Sequence, residues 1–87
     1  MNISQNEQRA LHVLALGGCI LHARGDGPKI TSVTCFTRGG MLLVDFDLSV
    51  FTRLRRKRLI ESRSGSPYRI SKRGRATVRA QLDNQGA

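Results

Sequence analysis

Residues 47–75 read DLSVFTRLRRKRLIESRSGSPYRISKRGR, and this stretch decides the fold. Asp47 is a good N-cap, because its carboxylate can accept the otherwise unpaired amides of a first helical turn. Leu48, Phe51 and Leu54 follow at i, i+3 and i+6, a spacing that predicts a helix over 48–57 with those three side chains facing inward. Leu59-Ile60 then leads into a strand, Ser64-Gly65-Ser66-Pro67 makes a turn, and Tyr68-Arg69-Ile70 returns as the second strand. Ser71 caps a last helix from Lys72 to about Leu82, with Val78 and Leu82 on its inner side and Ala76 and Ala80 nearby. A helix, a short strand, a small hairpin and a helix form the C-terminal half of a winged helix.

Upstream, Ser4-Gln5-Asn6-Glu7 has the Ser-x-x-Glu form of a capping box, in which the two side chains satisfy each other's backbone amides. A helix is expected from Gln5 to Leu16, with Ala10, Leu11, Val13, Leu14 and Ala15 as its buried stripe. Gly17-Gly18 ends it, since glycine accepts the positive φ that helix termination favours. Cys19 to Arg24 and Ile30 to Thr37 flank Gly25-Asp26-Gly27-Pro28-Lys29 and read as a β-hairpin. If paired positions sum to 54, Leu21 faces Val33, Cys19 faces Cys35 on the same apolar side, and His22 faces Ser32 on the other. Cys19 and Cys35 would then be adjacent, oxidisable thiols. Met41-Leu42-Leu43-Val44 is too short for its periodicity to separate a strand from the entry to a buried helix.

The chain has 87 residues, which is room for one domain, and the expectation is a single α+β, winged-helix-like domain over 1–87 with residues 83–87 frayed. A hydrophobic share of 39% argues against general disorder. One Tyr, three Phe and no Trp leave an aliphatic core and too few rings for a single-strand-binding stacking platform. The first residues carry no positive charge, and no apolar run approaches the roughly 18 residues of a membrane span. A soluble, cytoplasmic protein without a signal peptide is expected.

Charge is distributed unequally. Up to Asp47, Arg9, Arg24, Lys29 and Arg38 balance Glu7, Asp26, Asp45 and Asp47, whereas residues 48–82 hold eleven Lys or Arg against Glu61 alone. Asp83 brings the net charge to +9. A surface built only for solubility intersperses both signs; a basic half that is mostly arginine, able to grip phosphate or carboxylate with two N–H groups, points to an anionic partner. Ser49, Thr52, Arg53 and Arg56 form one exposed stripe of the middle helix, where small hydroxyls permit close approach and arginine reads guanine edges or phosphates. An ordinary wet amphipathic face has the same pattern. Lys57 follows that stripe, Arg63 and Arg69 lie on the arms of the wing, and Lys72, Arg75 and Arg79 share the outer side of the last helix. These ten residues are the candidate contacts to nucleic acid or to a partner.

No catalytic set converges. His12 lies between Leu11 and Val13, and His22 lies in the first hairpin. Neither histidine nor the two cysteines have metal-ligand spacing, and the glycines form turns rather than a phosphate loop. The expectation is a protein that is not an enzyme and that uses no metal or cofactor. A ribonuclease working with basic and hydroxyl groups ranks third among the readings.

Several blocks in one order carry a resemblance: Glu7-Gln8-Arg9, Leu11-His12-Val13-Leu14-Ala15, Gly17-Gly18, Val50-Phe51, Leu54, Leu59-Ile60, Pro67-Tyr68-Arg69-Ile70 and Val78-Arg79-Ala80-Gln81-Leu82-Asp83-Asn84. On these the chain resembles, over nearly its whole length, the YjhX family of small bacterial proteins. That resemblance implies a toxin of a toxin-antitoxin pair that binds and inhibits DNA topoisomerase I, with an antitoxin as a further partner. It carries no residue roles. The competing reading from the residues is a winged-helix transcriptional regulator that binds double-stranded DNA, with the middle helix in the major groove and Arg63 and Arg69 on phosphates.

Overall fold

A computed structural model describes residues 2–85, with side chains as far as Ala80. Three helices and two small antiparallel hairpins follow one another as α1 (Gln5–Ala15), β1 (Cys19–Arg24), β2 (Ile30–Phe36), α2 (Leu48–Arg56), β3 (Ile60–Glu61), β4 (Arg69–Ile70) and α3 (Lys72–Gln85). This is an α+β arrangement compatible with a small winged-helix-like domain. Residues 83–85, expected to fray, continue α3, while residues 86 and 87 lie outside the described residues.

The caps form as their residue types dictate. Ser4 and Glu7 make the complete capping box of α1, and the Asp47 carboxylate accepts the Val50 amide at 2.9 Å. α1 and α2 also end alike. Past α1, the Gly17 amide donates to the Leu14 carbonyl and the Gly18 amide to the Val13 carbonyl; past α2, the Arg58 amide donates to Arg55 and the Leu59 amide to Leu54. Both are the paired bonds of a Schellman ending, which places one residue in the left-handed region. In α1 that residue is Gly17, at φ 105°; in α2 it is Arg58, at φ 60°.

The two hairpins are joined. The Ile20 amide donates to the Tyr68 carbonyl at 2.9 Å and the Tyr68 amide to the Ile20 carbonyl at 2.8 Å, so β1 runs beside the wing. Ala10, Leu11 and Leu14 of α1, Ile20 and Cys35 of the first hairpin, Val50, Phe51 and Leu54 of α2, and Leu59, Ile60, Tyr68 and Ile70 of the wing form one core. The Tyr68 ring meets Phe51 edge-on at 5.0 Å and His22 at 5.2 Å.

The first hairpin corrects the expected register. Arg24 pairs with Ile30, on the sum of 54, but a bulge between Ala23 and Arg24 shifts the rest by one residue. Ile20 therefore faces Cys35, His22 faces Val33, Leu21 faces Thr34 and Cys19 faces Phe36. A shift of one residue exchanges the two faces of a strand. Leu21 consequently points away from the core and is 45% exposed, while Ile20 is fully buried. Cys19 and Cys35 are not cross-strand partners, and both are free. Burial, and secondarily the nearby Cys19, push the Cys35 thiol up to about 11, which suppresses its reactive thiolate form.

Three further expectations change. Leu48 is 39% exposed and Val50 takes its place inside, because positions six apart differ by about 120° around a helix and only one end of such a series can face the core. Ala76 and Ala80 are exposed; Gly74 packs against the wing instead, where an added Cβ would collide with the Leu59 carbonyl oxygen and lie 2.7 Å from Cγ1 of Ile70. Val78 packs against the core from the edge, and the side chain of Leu82 lies outside those described. Residues 41–44 form no strand; a single bridge joins Leu42 to Phe36.

Candidate functional site

The basic residues meet where α2 ends and α3 begins. The Ser71 amide donates to the Leu59 carbonyl at 3.0 Å, and the Ser71 hydroxyl donates to the Arg58 carbonyl at 2.8 Å while accepting the Gly74 amide at 3.0 Å. One buried serine therefore caps α3 and holds it against the left-handed turn that closes α2. Arg55, Arg56 and Arg58 precede this junction along the chain, and Lys72, Arg73 and Arg75 follow it; all six are exposed.

The first turn of α3 contains no acid. A helix N-terminus already carries partial positive charge and is normally complemented by Asp or Glu, each cation there costing about 0.3–1 kcal/mol. α1 follows the rule with Glu7. The α3 terminus breaks it with Lys72 and Arg73. Farther along, Lys72, Arg75 and Arg79 line a shallow open concavity of about 400 Å³ whose floor includes Ala76 and Ala80.

The structure places the ten sequence-derived candidates in different situations. Ser49, Thr52, Arg53 and Arg56 are all exposed on α2, but Arg53 is tied back: its Nε donates to the Ser49 carbonyl at 3.3 Å and lies 3.8 Å from Oε1 of Glu7. Lys57 turns inward. Its Nζ is 2.7 Å from Oε2 of Glu7 and donates to the Asn2 carbonyl at 2.7 Å. Glu7 is 1% exposed. Burial pushes its carboxyl up, yet the Lys57 hydrogen bond and charge and the Ser4 contacts outweigh it and hold Glu7 below the usual carboxylate range. The Arg63 guanidinium is exposed, 3.9 Å from Glu61, on a wing turn in which the Ser62 hydroxyl donates to the Ser66 carbonyl at 2.5 Å. Arg69, beside Glu61 on β4, is exposed as well.

Arg55, Arg58 and Arg73 were not singled out from the sequence. Arg58 had no helical periodicity to mark it, and only its φ distinguishes it. Among the described residues, no group of three or more His, Cys, Asp or Glu side chains could hold a metal ion. A larger groove of about 430 Å³ between α1 and α3 is lined by the apolar Ile3, Leu11, Val13, Leu43 and Val78 and by the polar Gln5, Gln8, Arg9, His12 and Thr77; it contains none of the ten candidates. The His22 Nδ1 is buried without a hydrogen-bond partner.

Residues 1–85 match the model of a family described as "Putative toxin of bacterial toxin-antitoxin pair". The chain belongs to the YjhX toxin family. Similar proteins include a UPF0386 protein of Cereibacter sphaeroides, 79% identical over 87 residues that cover all of both chains. Others are a UPF0386 protein of Rhodospirillum rubrum, 70% identical over 99% of this chain and 96% of the relative, and one of Beijerinckia indica, 62% identical over 98% of this chain and all of the relative. No solved structure matches. No helix among the described residues is long and apolar enough to cross a membrane.

Proposed function

We propose that this protein is a toxin that acts by binding rather than by catalysis, in the cytoplasm, and that its target is DNA topoisomerase I, engaged through the basic junction between α2 and α3. The observation that carries the reading is the placement of cations where folding alone disfavours them: Lys72 and Arg73 on the positive end of α3 and Arg58 in a left-handed turn position. Strain kept at a surface is a pointer to function. An anionic partner relieves the electrostatic part of it. An acidic surface beside the DNA-contacting site of an enzyme supplies that charge. The resemblance to the YjhX family favours topoisomerase I among such targets.

A binding role is also supported by how the perturbed groups are used. Glu7 is consumed by its cap and its ion pairs, and the Cys35 thiol is held protonated in the core. Neither is presented to a substrate.

The test is relaxation of supercoiled plasmid by purified topoisomerase I. The protein is expected to slow relaxation when mixed with enzyme before DNA, and Arg56→Ala with Arg58→Ala to weaken that effect. Unchanged relaxation at excess protein, in either order of addition, would refute it. The second reading, a regulator that binds double-stranded DNA, is favoured by the exposed Ser49, Thr52 and Arg56 on one side of α2. Direct binding would give log affinity against log salt a slope of about −0.9 per phosphate neutralised. The topoisomerase reading expects no such binding at physiological salt.

A further inference from the structure

We infer that the outer face of the first hairpin, extended by residues 41–44, is a surface on which a second copy of this chain docks. The bulge-shifted register is the starting point. Residues opposite one another in an antiparallel pair point to the same side of the sheet, so Cys19 with Phe36 and Leu21 with Thr34 lie on the side away from Ile20 and Cys35. Leu42, bridged to Phe36, continues that side. An antiparallel sheet with one wet face ordinarily alternates apolar-in with polar-out. β1 is apolar on both faces. Leu21 is 45% exposed and Leu42 62%, and Cys19 and Phe36 on the same side are half-buried. Large side chains massed in this way, rather than scattered singly, mark an interaction surface.

Charge selects the occupant. Residues 30–37 and 39–44 contain no charged side chain; Arg38 lies in the turn between them with its stem beside Gly17, and on β1 only the terminal Arg24 is charged. The half of the chain that bears this face has equal numbers of cations and anions, whereas the other half is strongly basic. A two-fold contact requires a patch that is its own complement. An uncharged apolar face meets that condition, and a basic one repels its copy. An acidic partner is drawn to the basic half instead. The dimer would present two basic junctions.

The test is the mass of the full chain by light scattering, from a few micromolar to roughly 500 µM, a range in which a pair with a Kd of about 100 µM becomes mostly dimeric. A dimer is expected, reduced to monomer by L21E with L42E, with an unchanged far-ultraviolet spectrum because both positions are already exposed. Should that variant fail to fold, L42Q is the milder substitute and is expected to weaken the dimer at least tenfold. R55E with R56E is expected to leave the mass unchanged. A wild-type chain that stays monomeric throughout, or that pairs only with an acidic protein, overturns the inference. So does a dimer that survives L21E with L42E.

Discussion

The ends of α1 and α2 are built from the same two hydrogen bonds but from different residues: Gly17 occupies the left-handed position after α1 and Arg58 the equivalent position after α2. The helix starts differ in parallel. α1 opens with Glu7 in its first turn, α3 with Lys72 and Arg73. The helix ends of the neutral half follow the residue preferences that favour folding, its one left-handed non-glycine being Asp45, a residue type that tolerates that conformation, and the basic half departs from them at the same junction twice. A stable scaffold thus carries a surface whose composition is set by something other than stability. Substitutions should separate the two.

The largest effect is expected inside the link between the halves. Glu7→Ala removes a buried carboxylate, its capping bond and the partner of Lys57, and should cost about 3 kcal/mol, read as a lower denaturant midpoint. Because Glu7 is held below the usual carboxylate range, its contribution is complete above that range and disappears as pH falls through the lowered value. Glu7→Gln should therefore flatten the acid limb of stability against pH. An unchanged acid limb would show that the ion pair with Lys57 contributes nothing. Next comes Gly74→Ala, where α3 must move off the Leu59 carbonyl. About 2–3 kcal/mol is expected from such overpacking, and a loss below about 0.5 kcal/mol would mean that α3 is not held as tightly as Ser71 implies.

Substitutions on the surface should reverse the sign. Lys72→Glu with Arg73→Glu places acids where the α3 dipole favours them and should stabilise by about 1 kcal/mol in low salt, falling as salt screens the field. The same pair should weaken partner binding. Stabilisation without loss of binding would detach the α3 terminus from the interface.

Much of this was legible in the residues. The capping box, the Asp47 cap, the wing turn and the basic half each depend on local chemistry, and local chemistry is what a sequence displays. The bulge at Ala23 and Arg24 was not legible, because a strand apolar on both faces gives alternation nothing with which to fix register. Consequently the sequence pattern puts Leu21 and Cys19 on one apolar side with Val33 and Cys35, where the structure separates them. Lys57 looked like one more cation in a run, and only its burial partner 50 residues away in sequence separates it from Arg56. Arg58 and Gly74 owe their roles to backbone approach between distant segments, which no spacing rule encodes.

Arg58→Gly is the smallest change and the most direct test. Glycine takes the left-handed position without strain, so the variant should be more stable by about 0.5–1 kcal/mol. It should also inhibit plasmid relaxation less well than the wild-type chain. A variant that is more stable and equally inhibitory, or no more stable at all, would contradict the claim that the arginine is retained there for binding.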